Sequence, residues 1–104
     1  MTTSRKKIAY VTGTRADFGL MTPVLTAITK SKRLSLRVYG TGMHLMPKFG
    51  STIAEVLRVF PRAMRLKASF RDDTPLAQAA FAGALLPKVV SAFSKERPDF
   101  VLLL

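Results

Sequence analysis

Two short segments hold most of the residues that could do chemistry. Gly13-Thr14-Arg15-Ala16-Asp17-Phe18-Gly19 and Gly40-Thr41-Gly42-Met43-His44 each set glycine beside polar side chains directly after an apolar run. In the first, Gly13 permits a tight turn, and a helix starting just beyond it presents unpaired backbone N–H groups. Arg15 adds a planar fork of donors, so the combination suits a phosphate or diphosphate. It is not the Gly-x-Gly-x-x-Gly fingerprint of dinucleotide sites. In the second, His44 is the only histidine of the chain, on a glycine-bracketed loop where an imidazole could meet a sugar or a proton in transfer. Each residue also has an ordinary role to set against this: a solvated arginine, and a histidine bonded to local backbone. Asp17 fits a helix-start carboxylate, and Asp72 with Asp73 fits a cap and turn.

Composition limits what these loops could serve. With 104 residues, the chain is one compact unit or part of one. It lacks cysteine, which excludes disulfides, thiolate metal sites and a thiol nucleophile, and a single histidine without clustered carboxylates argues against a metal centre. Seventeen Lys and Arg face six Asp and Glu, a formal charge of +11, which invites an anionic partner. Arg58, Arg62, Arg65, Lys67 and Arg71 could form a nucleic-acid patch, but alternation in a strand would place such bases on a solvated face, so nucleic acid is the lesser reading. The apolar run Ile8–Val11 is too short for a signal-peptide core, and no stretch reads as a membrane span, so a cytoplasmic location is expected.

The elements that must carry these loops alternate in kind. Ile8-Ala9-Tyr10-Val11 reads as a buried strand. Phe18, Met21, Leu25 and Ile28 recur at helical spacing, and the helix is expected to run through Pro23 with a kink. Leu34–Tyr39 reads as a second strand. Thr52 and Glu55 have capping-box spacing before Ile53, Val56, Leu57 and Phe60, and Pro61 ends that helix. Residues 63–68 alternate as an edge strand guarded by bases. Asp72-Asp73-Thr74-Pro75 opens a long helix, kinked at Pro87, with Leu76, Ala80, Leu86, Val90 and Phe93 as its apolar stripe. Phe100–Leu104 reads as a central parallel strand. The result is an α/β unit with a parallel Rossmann-like sheet, in the order third, second, first, fourth strand. Its two glycine-rich loops face one crevice past the carboxyl ends of the strands. The apolar last strand has no neighbour to cover its outer side, which implies a chain truncated at the fourth strand.

Val11-Thr12-Gly13-Thr14-Arg15-Ala16-Asp17-Phe18-Gly19, Thr41-Gly42-Met43-His44-Leu45, Phe49-Gly50-Ser51-Thr52, Asp73-Thr74-Pro75 and Pro98-Asp99 together resemble the UDP-N-acetylglucosamine 2-epimerase family over most of the chain. Ala16-Asp17 after Arg15 is similar to the hydrolysing branch, whereas the non-hydrolysing branch usually has Pro-Glu there and Gln at the position of Met43. The resemblance implies a glycosyltransferase-B-like fold of two Rossmann-like halves, with residues 1–104 as the first half of the N-terminal domain. It implies conversion of UDP-N-acetylglucosamine and water to N-acetylmannosamine and UDP, by elimination and then hydration, with no metal or redox cofactor. It also implies that Arg15, Ala16 and Gly19 bind the UDP-sugar and that His44 is the catalytic candidate at the sugar side. Full-length members are expected to be homo-oligomers without membrane attachment, and this length alone is expected to be inactive. The alternatives are a non-hydrolysing epimerase and a non-enzymatic basic module that binds nucleic acid.

Overall fold

The computed structural model describes residues 5–104. Four parallel strands form one sheet in the order β3-β2-β1-β4, as the sequence predicts: β1 Lys6–Thr12, β2 Leu34–Gly40, β3 Met64–Arg65 and β4 Phe100–Leu102. Helix α1, Arg15–Lys30, joins β1 to β2; α2, Ile53–Val59, joins β2 to β3; α3, Pro75–Glu96, joins β3 to β4. Because side chains alternate across a strand, β1 feeds two layers. Tyr10 packs with Phe18, Met21, Leu25, Val38, Ile53 and Val56, while Ala9 packs with Tyr39 and Leu66 under Leu85, Val89, Ala92 and Phe93 of α3. Fully burying a side chain such as Leu25 or Val56 contributes roughly 1.5–3 kcal/mol, so the layer that holds α1 and α2 is well anchored.

Both long helices run unbroken through an internal proline, Pro23 in α1 and Pro87 in α3. The carbonyl a proline ring crowds is that of the residue four places earlier, and here those residues are Gly19 and Gly83, whose backbone adjusts most easily. In α1 the Thr22 hydroxyl also donates to the Phe18 carbonyl at 2.6 Å. At its end, α3 is closed by Arg97 in the left-handed region, φ 54°, and Pro98 prevents its continuation.

Three expectations need correction. The seam α3 turns to the sheet is Leu85-Val89-Phe93, whereas Leu76, Leu86 and Val90 of the expected stripe are exposed. Both faces of α3 are apolar, so periodicity could not choose between them. Only Met64 and Arg65 of the expected edge strand pair as a strand, and Met64 is exposed; the alternation is real further on, where Leu66 and Ala68 are buried and Lys67 is not. Finally, α3, at 22 residues, is a helix long and apolar enough to cross a membrane by length and composition, contrary to the reading that no stretch approaches a span. Its seam on Ala9, Tyr39 and Leu66 gives that apolar character a use within the sheet layer.

Candidate functional site

The two glycine-rich loops meet where β1 and β2 end. Thr41 N–H donates to the Thr12 carbonyl at 3.0 Å, and Met43 N–H to the Gly13 carbonyl at 2.9 Å. Gly42 sits between them at φ 60°, where a Cβ would come within 3.3 Å of both the Gly13 oxygen and the Phe81 ring. The position therefore requires glycine for its dihedral and for its closeness to the facing loop. Beyond Gly42 the chain makes short 3-10 turns at Gly42–Leu45 and Pro47–Phe49 before reaching α2.

At this junction lies a crevice of about 380 Å³, lined by Thr14, Arg15, Ala16, Met43, Phe49 and Thr52. Arg15 and Ala16, the first residues of α1, open it on one side, and the second loop closes the other. The Arg15 guanidinium pairs with Glu55 of α2 at 3.1 Å, with most of the arginine side chain in solvent. An exposed pair of this kind is worth about 0–1 kcal/mol, so Arg15 can be recruited by a stronger anion at little cost. Gly19 lies a turn further along α1 on its exposed face, outside the crevice lining.

Directly beneath the crevice is a polar cluster of a kind sequence spacing alone does not reveal. Thr14 caps α1 through a full capping box: its hydroxyl accepts from Asp17 N–H at 3.1 Å, and Asp17 accepts from Thr14 N–H at 2.8 Å. Asp17 does more than cap. Its Oδ2 also accepts from Gly13 N–H at 3.1 Å and the Thr14 hydroxyl at 2.9 Å, and its Oδ1 accepts from the Tyr10 hydroxyl at 2.6 Å and from the Thr12 hydroxyl. Burial alone would raise the Asp17 pKa, but hydrogen bonds from Thr12, Tyr10 and Thr14 outweigh it and hold the carboxyl below its ordinary value. The same cluster pushes the Tyr10 hydroxyl up, chiefly through burial, then through its bond to Asp17 and the charge there.

His44 belongs to this cluster and does not line the crevice. It is fully buried, with Nε2 2.9 Å from the Thr12 hydroxyl, Nδ1 2.8 Å from the Thr52 hydroxyl and the Phe18 ring edge-on at 6.2 Å. Burial pushes its pKa below the ordinary 6.5, against the pull of the Asp17 charge, so the ring is neutral near pH 7. This use of Thr52 corrects the expected capping box with Glu55: Thr52 stands at the N-cap of α2 but makes no side-chain cap bond, its hydroxyl being engaged by His44. Among the described residues no group of three or more His, Asp or Glu side chains could hold a metal ion. The structure thus gathers Arg15 and Ala16 at the crevice and His44 below it. It adds Tyr10, Thr12 and Thr52: the sequence marks Thr52 only as a helix cap, and Tyr10 and Thr12 only as polar residues two apart at the end of an apolar run.

Half of a doubly wound α/β sheet, with its crevice at the carboxyl ends of adjacent parallel strands, is the frame of nucleotide and nucleotide-sugar sites. No family model matches the chain. Individual relatives do. The chain is 37% identical over 100 residues to a UDP-N,N'-diacetylbacillosamine 2-epimerase (hydrolyzing) of Legionella pneumophila, covering 95% of this chain and 26% of the relative. It is 47% identical over 102 residues to a UDP-N-acetylglucosamine 2-epimerase of Neisseria meningitidis, covering 94% and 26%. A Campylobacter jejuni GDP/UDP-N,N'-diacetylbacillosamine 2-epimerase (hydrolyzing) is 30% identical over 101 residues, covering 97% and 26%. The chain belongs to the UDP-N-acetylglucosamine 2-epimerase family and spans about a quarter of the length of these curated relatives.

Proposed function

We propose that this chain supplies the sugar-nucleotide crevice of a hydrolysing 2-epimerase, which takes UDP-N-acetylglucosamine and water to N-acetylmannosamine and UDP. The observation that carries the reading is the junction of the two glycine-rich loops, where Arg15 and the first turn of α1 face Met43 and Thr52 across one opening. In this role Arg15 exchanges Glu55 for the diphosphate, and Ala16 leaves the backbone open to close approach. Gly19 helps from behind, as the residue whose carbonyl lies opposite Pro23 in the first turns of α1. His44 acts from beneath, through Thr12 and Thr52, by fixing the geometry of both loops. Ala16-Asp17 and Met43 support the hydrolysing branch, as does the likeness to the hydrolysing Legionella and Campylobacter relatives. The substrate is a UDP-sugar handled without metal or redox cofactor, in the cytoplasm, by an enzyme that assembles as a homo-oligomer. Residues 1–104 form part of its first Rossmann-like domain.

The test is a chimera in which this chain replaces the matching segment of the Neisseria meningitidis relative. Incubation with UDP-N-acetylglucosamine should release N-acetylmannosamine and UDP together. Formation of the UDP-linked epimer without UDP release would assign the non-hydrolysing reaction instead. A folded chimera that binds no UDP, while the chain itself shifts DNA in a salt-sensitive manner, would overturn the reading in favour of a basic nucleic-acid module.

A further inference from the structure

The buried cluster has a direction, fixed by counting protons. Thr12 has one hydroxyl proton and three neighbours that could take it: the Asp17 carboxylate, the Thr14 carbonyl at 3.3 Å and His44 Nε2 at 2.9 Å. The carboxylate is charged, and a hydroxyl donates more strongly to it than to a neutral carbonyl or imidazole, so the proton goes there. Toward His44 the Thr12 oxygen is then an acceptor, and Nε2 must carry hydrogen. A neutral imidazole with Nε2–H has a bare Nδ1, and the Thr52 hydroxyl 2.8 Å away must donate to it. Asp17 has no proton to pass on, because all its other contacts are donors: the Tyr10 hydroxyl, the Thr14 hydroxyl and the N–H groups of Gly13 and Thr14.

We infer that Thr52, His44 and Thr12 form a one-way hydrogen-bond chain ending on the Asp17 carboxylate, and that it fixes His44 as the Nε2–H tautomer and ties the α2 end of the crevice to the start of α1. The three are positioning residues. With both ring nitrogens committed, His44 has no free donor or acceptor to offer a ligand, and its work passes through its neighbours. The chain links three separate segments: the end of β1 through Thr12, the second glycine-rich loop through His44 and the entry to α2 through Thr52. Thr52 lines the crevice, and Asp17 carries the cap of the helix that begins with Arg15. A change of hydroxyl orientation at one end is therefore felt at the other. The tautomer rests on the hydrogen-bond geometry around a neutral ring; the kinetic consequence rests on the function proposed above.

The tautomer can be read in this chain with isotope-labelled histidine, because His44 is its only histidine. Near neutral pH, the ring nitrogen shifts should report a protonated Nε2 and an unprotonated Nδ1. Thr52→Val, close in shape but without the hydroxyl, should release the ring into a tautomer mixture, and Thr52→Ser should restore the single form. A protonated Nδ1, or a mixture in the unsubstituted chain, overturns the inference whether or not the valine variant folds. In the chimera, Thr12→Val should lower kcat roughly ten- to hundred-fold with UDP affinity unchanged, Thr52→Val should lower kcat by a similar factor, and the serine variants should recover most of it. Unchanged kcat in both valine variants would refute the positioning role. A chimera inactive before any substitution would count against the proposed function while leaving the tautomer measurement decisive.

Discussion

Replacing Asp17 with Asn is the sharpest test of how the crevice is held. The carboxylate accepts from five donors, two at Oδ1 and three at Oδ2. Asn keeps one acceptor oxygen and turns an N–H₂ toward whichever group of donors remains. If the amide oxygen takes the three-donor side, the Tyr10 and Thr12 hydroxyls must reverse to accept, and Thr12 then loses its place in the chain to His44. Each retained contact falls from charge-assisted to neutral, a loss of about 1 kcal/mol apiece. Because the five share one geometry they do not add fully, and a net cost of about 3 kcal/mol is expected. Urea unfolding followed by far-UV circular dichroism should show the midpoint falling by roughly 1–3 M at an unchanged slope. The pH dependence has a definite sign. A carboxyl whose folded pKa lies below its ordinary 3.8 stabilises the fold fully above that value and loses this as pH falls through the folded pKa, so the penalty of Asn should shrink in strong acid. A cost under about 0.5 kcal/mol near neutral pH would mean that water serves these donors as well as the carboxylate does, and the account of the cluster would fail.

Three further outcomes follow from the same geometry. In the chimera, Arg15→Ala should weaken UDP binding by about 1.5–3 kcal/mol in calorimetric titration, Arg15→Lys should recover only part of it, and equal affinity for all three would remove Arg15 from the site. His44 is buried neutral with its pKa below 6.5, so the fold should be at full stability above that value and lose stability as pH falls toward the folded pKa; thermal melts of His44→Gln should lack this dependence between mild acid and neutrality. Phe100 and Val101 of β4 and Leu103 and Leu104 just after it are 60%, 46%, 71% and 70% exposed, so the chain should bind a hydrophobic dye and self-associate, and Val101→Lys with Leu103→Asp should reduce both in fluorescence and sedimentation measurements.

The sheet was legible because its signals are local: each apolar run, closing glycine and following helix pattern is contained in a few neighbouring residues. The position of Arg15 and Ala16 at the start of α1 was legible for the same reason, since a loop between strand and helix announces itself. The cluster beneath them was not. Tyr10, Thr12, Asp17, His44 and Thr52 meet only after β1 and β2 pair in register, with Tyr10 opposite Val38 and Thr12 opposite Gly40. Thr52 shows how a correct local rule yields to tertiary structure: its spacing to Glu55 is that of a capping box, yet a buried imidazole competes for its only hydroxyl and wins. The seam of α3 was ambiguous because both its faces are apolar, and only contact with Tyr39 selects one.

The bond between Lys7 and Asp99 has a bearing on how the molecule is made. Lys7 N–H donates to the Asp99 carboxylate at 2.7 Å, Asp99 N–H returns to the Lys7 carbonyl at 2.8 Å, and the Lys7 ammonium reaches the Glu96 carbonyl at 3.1 Å. β1 is thus clasped by residues synthesised 89 and 92 positions after Lys7. β1, α1 and β2 are neighbours in sequence and can associate as soon as residue 40 is free, which covers one side of β1 while the other waits for β4. During that interval the exposed edge of β1 begins with Lys6 and Lys7, whose charges keep a half-finished sheet from pairing with a neighbouring nascent chain.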